Sequence, residues 1–481
     1  QEVEQMNLFK DMVCYQEEVR DPSRIAEVLN RVIEKAIRGS APAQINVPRD
    51  YWTQVIDIEL PPIVRLERQA GGAAAIEEAA KLLSNAKFPV ILSGAGVVIG
   101  GAIKDCVKLA EKLDSPVCSG YQHNDSFPGS HPLAVGPLGY NGSKAAMELI
   151  AKADVVLALG TRLNPFSTLP GYGIDYWPKN AKIIQVDMNS DRIGLTKKVT
   201  VGICGDAKLV SQQLLGKLSP KAGDTDRQKR KDLIHQTKSA WLQKLSSLDH
   251  EDDDPGTVWN KEARDRDKDR MSPRQAWRAI QAGMPEDVII SSDIGNNCAI
   301  GNAYPTFEKG RKYLAPGLFG PCGYGFPSIL GAKIGCPDTP VIGFAGDGAF
   351  GISMNEMSSC AREEWPAISM VIFRNYQWGA EKRNTTLWFD NNFIGTELDP
   401  ELSYAKVANA CGLKGVTVNT MDETTKAIKQ SCEDQKKGIT TFIEVILNQE
   451  LGEPFRRDAM KKPVRVAGIK KEDMKPQKGL N

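Results

Sequence analysis

The segment Val341–Phe350, VIGFAGDGAF, constrains this chain most: an uncharged apolar run passes straight into Gly346-Asp347-Gly348. A short apolar run bounded by turn residues reads as a strand buried on both faces, as in parallel sheets. A helix is expected over Ser353–Glu364, then a second apolar strand over Ala367–Phe373 that delivers Asn375. Strand, helix and strand make a βαβ unit. The carboxylate of Asp347 and the amide of Asn375, 28 positions apart, therefore emerge at one carboxyl edge of one sheet, where open α/β sheets bind ligands. Taken separately, Gly-Asp-Gly reads as a tight turn and Asn375 as a strand-end cap. Taken together, their oxygens suit Mg²⁺, a hard cation commonly completed by phosphate oxygens.

A chain of 481 residues is expected to hold about three domains rather than one. The order Pro89–Leu92, Ile103–Leu113, Pro116–Cys118, Ala145–Ala151, Asp154–Leu159 and Lys182–Val186 alternates strand and helix, so a second parallel-sheet domain precedes the first-named unit. Ile25, Val28, Leu29, Val32, Ile33 and Ala36 recur at helical spacing, and Ala43–Val47 reads as a strand, the tail of a further α/β domain. The fold class is α/β, with successive doubly wound parallel sheets. The expected boundaries are a domain remnant over 1–55, a linker over 56–72 and a Rossmann-like middle domain over 73–220. A charged linker follows over 221–270 with a surface helix around Ile234–Leu248, then the Asp347 domain over 271–450 and a basic tail over 451–481.

Lys plus Arg number 61 against 60 Asp plus Glu, so no net field exists to hold nucleic acid or an anionic membrane. Neither partner is expected. The uncharged run from Phe88 to Ile103 is too short to span a bilayer. Ten cysteines without a C-x-x-C pair read as reduced thiols of a cytoplasmic protein. The sequence starts at Gln1 rather than at Met, shows no signal peptide and opens inside structured chain, so truncation is expected. Ser93-Gly94-Ala95-Gly96 follows a strand, but Ile99 stands where a dinucleotide fingerprint needs glycine. Close packing of strand and helix competes there with phosphate binding; a nicotinamide dehydrogenase is a distant alternative.

The Gly346-Asp347-Gly348…Asn375 pattern resembles the signature of thiamine diphosphate enzymes. That resemblance implies Mg²⁺ held by Asp347, Asn375 and the backbone carbonyl of Gln377, with Gly346, Gly348 and Ala349 against the cofactor diphosphate. Family members usually have Asn-Asn where this chain has Arg374-Asn375. Phe319–Pro327 resembles the loop that grips the aminopyrimidine, with Gly320 at the loop and Cys322 at the place of the wedging side chain. Ser292–Asn297 resembles the loop that approaches the diphosphate, with Gly295 and Asn296 as contacts.

Longer stretches, Gln377–Lys382, Phe393–Leu398, Leu451–Ala459, Gly120–Asn124, Gly136–Lys144 and Leu159–Arg162, resemble the sulfoacetaldehyde acetyltransferase family, and the likeness spans essentially the whole chain. It implies conversion of sulfoacetaldehyde and phosphate to acetyl phosphate and sulfite through acetyl-thiamine diphosphate, in taurine and sulfonate catabolism. It also implies a homodimer or homotetramer, since the pyrimidine domain of one subunit meets the diphosphate domain of another. Residues 1–55 become the end of a pyrimidine domain, and 271–450 the diphosphate and Mg²⁺ domain. The activating Glu of that family falls upstream of residue 1, Glu2 does not replace it, and Gln1 matches a family Gln facing the active site. Both substrates are anions, so Lys382, Arg383, Arg456 and Arg457 are candidate cationic groups, and His123 a candidate for proton transfer. Against these stand surface charges on a helix, tail residues pairing with Glu453 and Asp458, and a structural histidine. The rivals are an acetolactate synthase-like carboligase, a 2-oxo acid decarboxylase, and a silent subunit lacking the activating Glu.

Overall fold

The structure, a computed structural model, describes residues 2–62, 67–219, 226–248, 267, 269–317, 319–362, 364–389 and 392–450. The chain divides into a unit ending at Arg68 and a second unit from Gln69 onward. In the first unit, β1 (Tyr15–Glu18) pairs in parallel with β2 (Ala43–Asn46), and the helix Ile25–Gly39 crosses between them. Asp21 caps the 3₁₀ turn Pro22–Arg24 that precedes that helix, accepting the Ser23 N–H at 2.9 Å. Val19, Val28 and Val32 are buried, whereas Leu29 and Ile33, also read from the spacing as apolar-face positions, are exposed. The polar strand Tyr-Gln-Glu-Glu carries no apolar alternation and escapes a reading by periodicity.

The second unit contains two six-stranded sheets, each parallel throughout. The first holds β3 (Pro89–Ser93), β4 (Val117–Ser119), β5 (Ala134–Pro137), β6 (Val155–Leu159), β7 (Lys182–Asp187) and β8 (Val201–Cys204), in the order β5-β4-β3-β6-β7-β8. Its switch point lies between β3 and β6, where the Gly94/Gly96 turn sits. A Cβ on Gly96 would lie 2.7 Å from the Gly160 Cα, and the Gly94 and Gly96 N–H groups donate to the Leu159 and Gly160 carbonyls at 3.0 and 2.8 Å. Both amides are consumed by packing, so the turn joins strand to helix and offers no phosphate cradle there.

The charged stretch after this sheet yields a docked helix, Asp226–Leu248, rather than one lying only over Ile234–Leu248. Ile234, Trp241 and Leu245 are buried. Arg230 donates to the carbonyls of Lys87 and Asp114 at 2.8 and 3.2 Å, and Arg227 and Lys231 pair with the buried Asp114 carboxylate. These cations cap the carboxyl end of the helix Ile103–Leu113, where a positive charge is favoured. Among the described residues no helix is long and apolar enough to cross a membrane, and none of the ten cysteines is bonded to another.

The second sheet holds β9 (Ile289–Ser292), β10 (Tyr313–Leu314), β11 (Val341–Gly346), β12 (Ser369–Arg374), β13 (Lys414–Val418) and β14 (Thr441–Ile446), in the order β10-β9-β11-β12-β14-β13. β11 and β12 are almost wholly buried, as their apolar runs predict. The chain leaves β9 toward β10 on one side and continues through β11 and β12 on the other, so the switch point falls between β9 and β11. The helix after β11 starts at Asp347 itself and runs to Ser353; a 3₁₀ turn, Met354–Glu356, and a short helix, Met357–Cys360, replace the helix expected over Ser353–Glu364. Asp347 carries its charge in the first turn, where the helix dipole favours an acid.

Candidate active site

β11 ends in Asp347 and the neighbouring β12 runs into Asn375. Asp347 is 1% exposed. Its Oδ1 accepts the Gly348 N–H at 2.9 Å, and its Oδ2 accepts the Tyr376 N–H at 2.6 Å and Arg374 Nη1 at 3.0 Å. Burial pushes the Asp347 carboxyl up to about 6, with the Arg374 guanidinium pulling the other way. Tyr376 sits at φ +61°, beneath the Arg374 guanidinium at 4.2 Å, so the chain turns sharply directly after Asn375. Residues 376–378 and 396–398 pair with each other: the Trp378 N–H donates to Thr396 O at 2.8 Å and the Leu398 N–H to Tyr376 O at 2.9 Å. Gln449 ties Asn375 to Gln377, donating from Nε2 to Asn375 O at 3.2 Å and accepting Gln377 Nε2 at its carbonyl at 3.1 Å.

The loop after β9 forms the opposite wall. Asp293 is buried, and its two oxygens accept the N–H groups of Ile294, Gly323 and Gly325 at 2.8, 3.1 and 2.7 Å. One carboxylate thereby holds the Gly320–Gly325 loop, with Cys322, beside the loop that carries Gly295 and Asn296. Between the walls lies a cleft with about 480 Å³ of empty space, lined by Gly295, Asn296, Cys322, Gly346–Ala349, Asn375, Gln377 and Glu381. Gly295 has φ +125°, and a Cβ on it or on Gly346 would meet nothing within 4 Å, so backbone faces open space at both. Both amide atoms of Asn296, and Oε1 of Gln377, are buried without a hydrogen-bond partner. Buried polar atoms left unpaired are costly and point to a missing ligand or water. The Cys322 thiol is pushed up by burial, then by Asp293 and Glu381, and so stays protonated.

A second cleft adjoins the first at Ile294, Gly295 and Ala380. Its far wall comes from the preceding sheet's loops: Tyr121, Gln122, Tyr140 and Phe166, whose three rings pack with centroids 5.7–5.8 Å apart. Asn302 fixes this wall. Its Oδ1 accepts the Gln122 N–H at 3.1 Å, its Nδ2 donates to Tyr140 O at 3.1 Å, and its carbonyl accepts Asn124 Nδ2 at 3.0 Å. Among the described residues lining the two clefts there is no Lys or Arg.

The predicted site residues divide accordingly. Gly295, Asn296, Cys322, Gly346, Asp347, Gly348, Ala349, Asn375 and Gln377 line the first cleft, and Gly320 the second. Gln1, Arg456 and Arg457 lie outside the described residues. Lys382 and Arg383 are not surface charges: they are 0% and 5% exposed, and Lys382 turns away from the cleft to pair with Glu397. Its neighbour Glu381 faces the cleft instead. Reasoning from the sequence missed Glu381, Asp293 and Asn302.

His123 lines neither cleft. Burial, reinforced by the Arg162 guanidinium, pushes its imidazole down to about 4. The unfolded chain takes up this proton near pH 6.5 and the folded chain near 4, so stability is full above pH 6.5 and falls as pH drops toward 4. The expected loss from pH 6.5 to pH 5 is about 2 kcal/mol, and His123→Gln removes that share of the slope. Urea unfolding of both proteins at pH 7 and pH 5 measures it; equal slopes would refute the assignment.

Comparison with known proteins bears on this arrangement. Residues 76–214 match the thiamine pyrophosphate enzyme central domain, and residues 293–445 the thiamine pyrophosphate enzyme C-terminal TPP binding domain. A probable sulfoacetaldehyde acetyltransferase of Rhizobium meliloti (strain 1021) is 78% identical over 480 residues, covering all of this chain and 81% of the relative. A sulfoacetaldehyde acetyltransferase of Roseovarius nubinhibens is 73% identical over 477 residues, covering 99% of this chain and 79% of the relative. Among solved structures, a Rhodococcus jostii RHA1 thiamine diphosphate-dependent 4-hydroxybenzoylformate decarboxylase shares the fold, with a TM-score of 0.70 at 22% identity over 93% of this chain and 78% of that one.

Proposed function

Because the chain belongs to the sulfoacetaldehyde acetyltransferase family of thiamine pyrophosphate enzymes, we propose that its first cleft binds thiamine diphosphate with Mg²⁺ and converts sulfoacetaldehyde and phosphate to acetyl phosphate and sulfite. The observation that carries the site is the meeting of Asp347, Asn375 and Gln377 at one sheet edge, facing the orphaned amide of Asn296. One carboxylate, one amide oxygen and one backbone carbonyl form a hard oxygen set suited to Mg²⁺. The open backbone at Gly295 and Gly346, with the unpartnered amide of Asn296, suits a diphosphate. The residues present therefore fit the cofactor.

The cofactor, when bound, supplies a nucleophilic carbon and an electron sink for the aldehyde carbon. The chain's own part is positioning. Asp347, Asn375 and the Gln377 carbonyl hold the ion, Asp293 holds the Gly320–Gly325 loop at the pyrimidine end, and the aromatic wall of the second cleft keeps bulk water from the substrate's path. Sulfite departs with the C–S electron pair, so no external oxidant is required, and phosphate accepts the acetyl group. From the likeness of Leu451–Ala459 to the family, we propose Arg456 and Arg457 as cations for the sulfonate and the phosphate. The same reading includes a role in taurine and sulfonate breakdown and a homodimeric or homotetrameric enzyme.

The test is release of sulfite and formation of acetyl phosphate by the full-length holoenzyme supplied with sulfoacetaldehyde, phosphate, Mg²⁺ and thiamine diphosphate. Stoichiometric products that require phosphate support the proposal. Acetolactate or carbon dioxide from pyruvate, without sulfite from sulfoacetaldehyde, would move the chain to carboligation or decarboxylation.

A further inference from the structure

Turning sulfoacetaldehyde into an acetyl group moves protons at two carbons. The aldehyde C–H bond breaks with its electron pair kept on carbon, the C–S bond breaks with its pair leaving on sulfite, and the methylene carbon gains a proton to become methyl. One group that accepts a proton and returns one closes this balance without oxidant or reductant.

Four side chains on the described lining of the cofactor cleft can exchange a proton: Asp347, Cys298, Cys322 and Glu381. Cys298 is buried, its thiol pushed up by burial and turned to the Phe344 carbonyl, and so is a poor base. Both Asp347 oxygens are engaged by Gly348, Tyr376 and Arg374. The Cys322 thiol is pushed up by burial and is a poor base. Asp293, at the joint with the second cleft, spends both oxygens on loop N–H groups. Glu381 differs. It is the third residue of the helix Gly379–Trp388, its side chain is exposed, and it carries no ion pair among the described residues. The start of that helix abuts the β9 loop, since a Cβ on Gly379 would come within 3.1 Å of Asn296 Nδ2. Ala380 and Glu381 thus line the cleft, while Lys382, about 100° further round the helix, turns inward to Glu397.

We infer that Glu381 is the proton-transfer group of this reaction, accepting the aldehyde-carbon proton and, once sulfite has left, returning a proton to the methylene carbon. The inference rests on the function proposed above and adds a residue to it. Glu381→Gln keeps the shape and removes the exchangeable proton. In the full-length holoenzyme the expected result is a kcat lower by about 10²–10⁴-fold, with thiamine diphosphate affinity by titration calorimetry unchanged. Glu381→Asp should recover part of the rate, and Glu381→Ala should regain rate saturably with added formate, which a purely structural role would not allow. A Glu381→Gln kcat near wild type would overturn the inference, as would a fall accompanied by lost cofactor affinity and no formate rescue. Absence of sulfite from the wild-type enzyme would instead remove the reaction itself, and with it the need for this proton.

Discussion

Asp347→Ala is expected to lose thiamine diphosphate binding and, with it, sulfite release. Changing a group that only orients a metal ligand typically costs 10–100-fold in affinity, so removing an anionic ligand should exceed about a hundredfold. The variant also strips Arg374 of its nearer carboxylate at 3.0 Å, leaving the buried guanidinium with Glu444 at 3.7 Å and two carbonyls. Part of the loss could then come from damaged folding, and Asp347→Asn separates the two effects. It keeps the shape and the acceptor for Tyr376, but removes the charge that holds a divalent ion. Calorimetric titration of thiamine diphosphate with and without Mg²⁺ reads the result. Mg²⁺-dependent binding by Asp347→Asn at wild-type affinity would refute the assigned ion site.

The sheet edge proposed to hold the metal was legible because its information is local. β11 and β12 are continuous apolar runs, each ends at a polar residue, and one crossover sets their relative position. The rest of the site is built by contacts distant in sequence. Asp293 accepts from Gly323 and Gly325, 30 and 32 residues away, and nothing in Ser292–Asn297 announces that its carboxylate will gather amides from another loop. Asn302 reaches Gln122 across 180 residues. Lys382 and Arg383 looked like surface charges because helical periodicity shows which residues share a face, but not what later chain covers it. Here the returning segment brings Phe393 to 5.2 Å from Lys382 Nζ and places Glu397 at the ammonium. The same ambiguity hid Glu381 on the cleft side. In the charged stretch near residue 230, Arg and Lys read as solvated positions, whereas the exposed carbonyls at the end of Ile103–Leu113 draw them onto the sheet domain.

Arg374 is a residue whose removal should cost the fold heavily. It is 1% exposed, lies between the carboxylates of Asp347 and Glu444, donates to the Leu402 and Asp399 carbonyls, and stacks over the Tyr376 and Tyr404 rings at 4.2 and 5.4 Å. Glu444 itself is held by Ser403 Oγ at 2.6 Å and the Tyr404 N–H at 3.1 Å, so neither acid can swing out to water. Arg374→Ala leaves two buried carboxylates without their cation, a change that typically destabilises by about 3–5 kcal/mol. Arg374→Asn should not rescue it, because a short amide carries no charge and cannot reach from β12 to Leu402. A divalent ion beside Asp347 returns positive charge to the same carboxylate. Mg²⁺ with thiamine diphosphate should therefore raise the unfolding midpoint of Arg374→Ala more than that of wild type. Urea unfolding of both proteins, with and without the cofactor pair, measures the difference. Equal gains would mean that Arg374 and the ion do not share Asp347, and the argument for a metal at this edge would lose its electrostatic support.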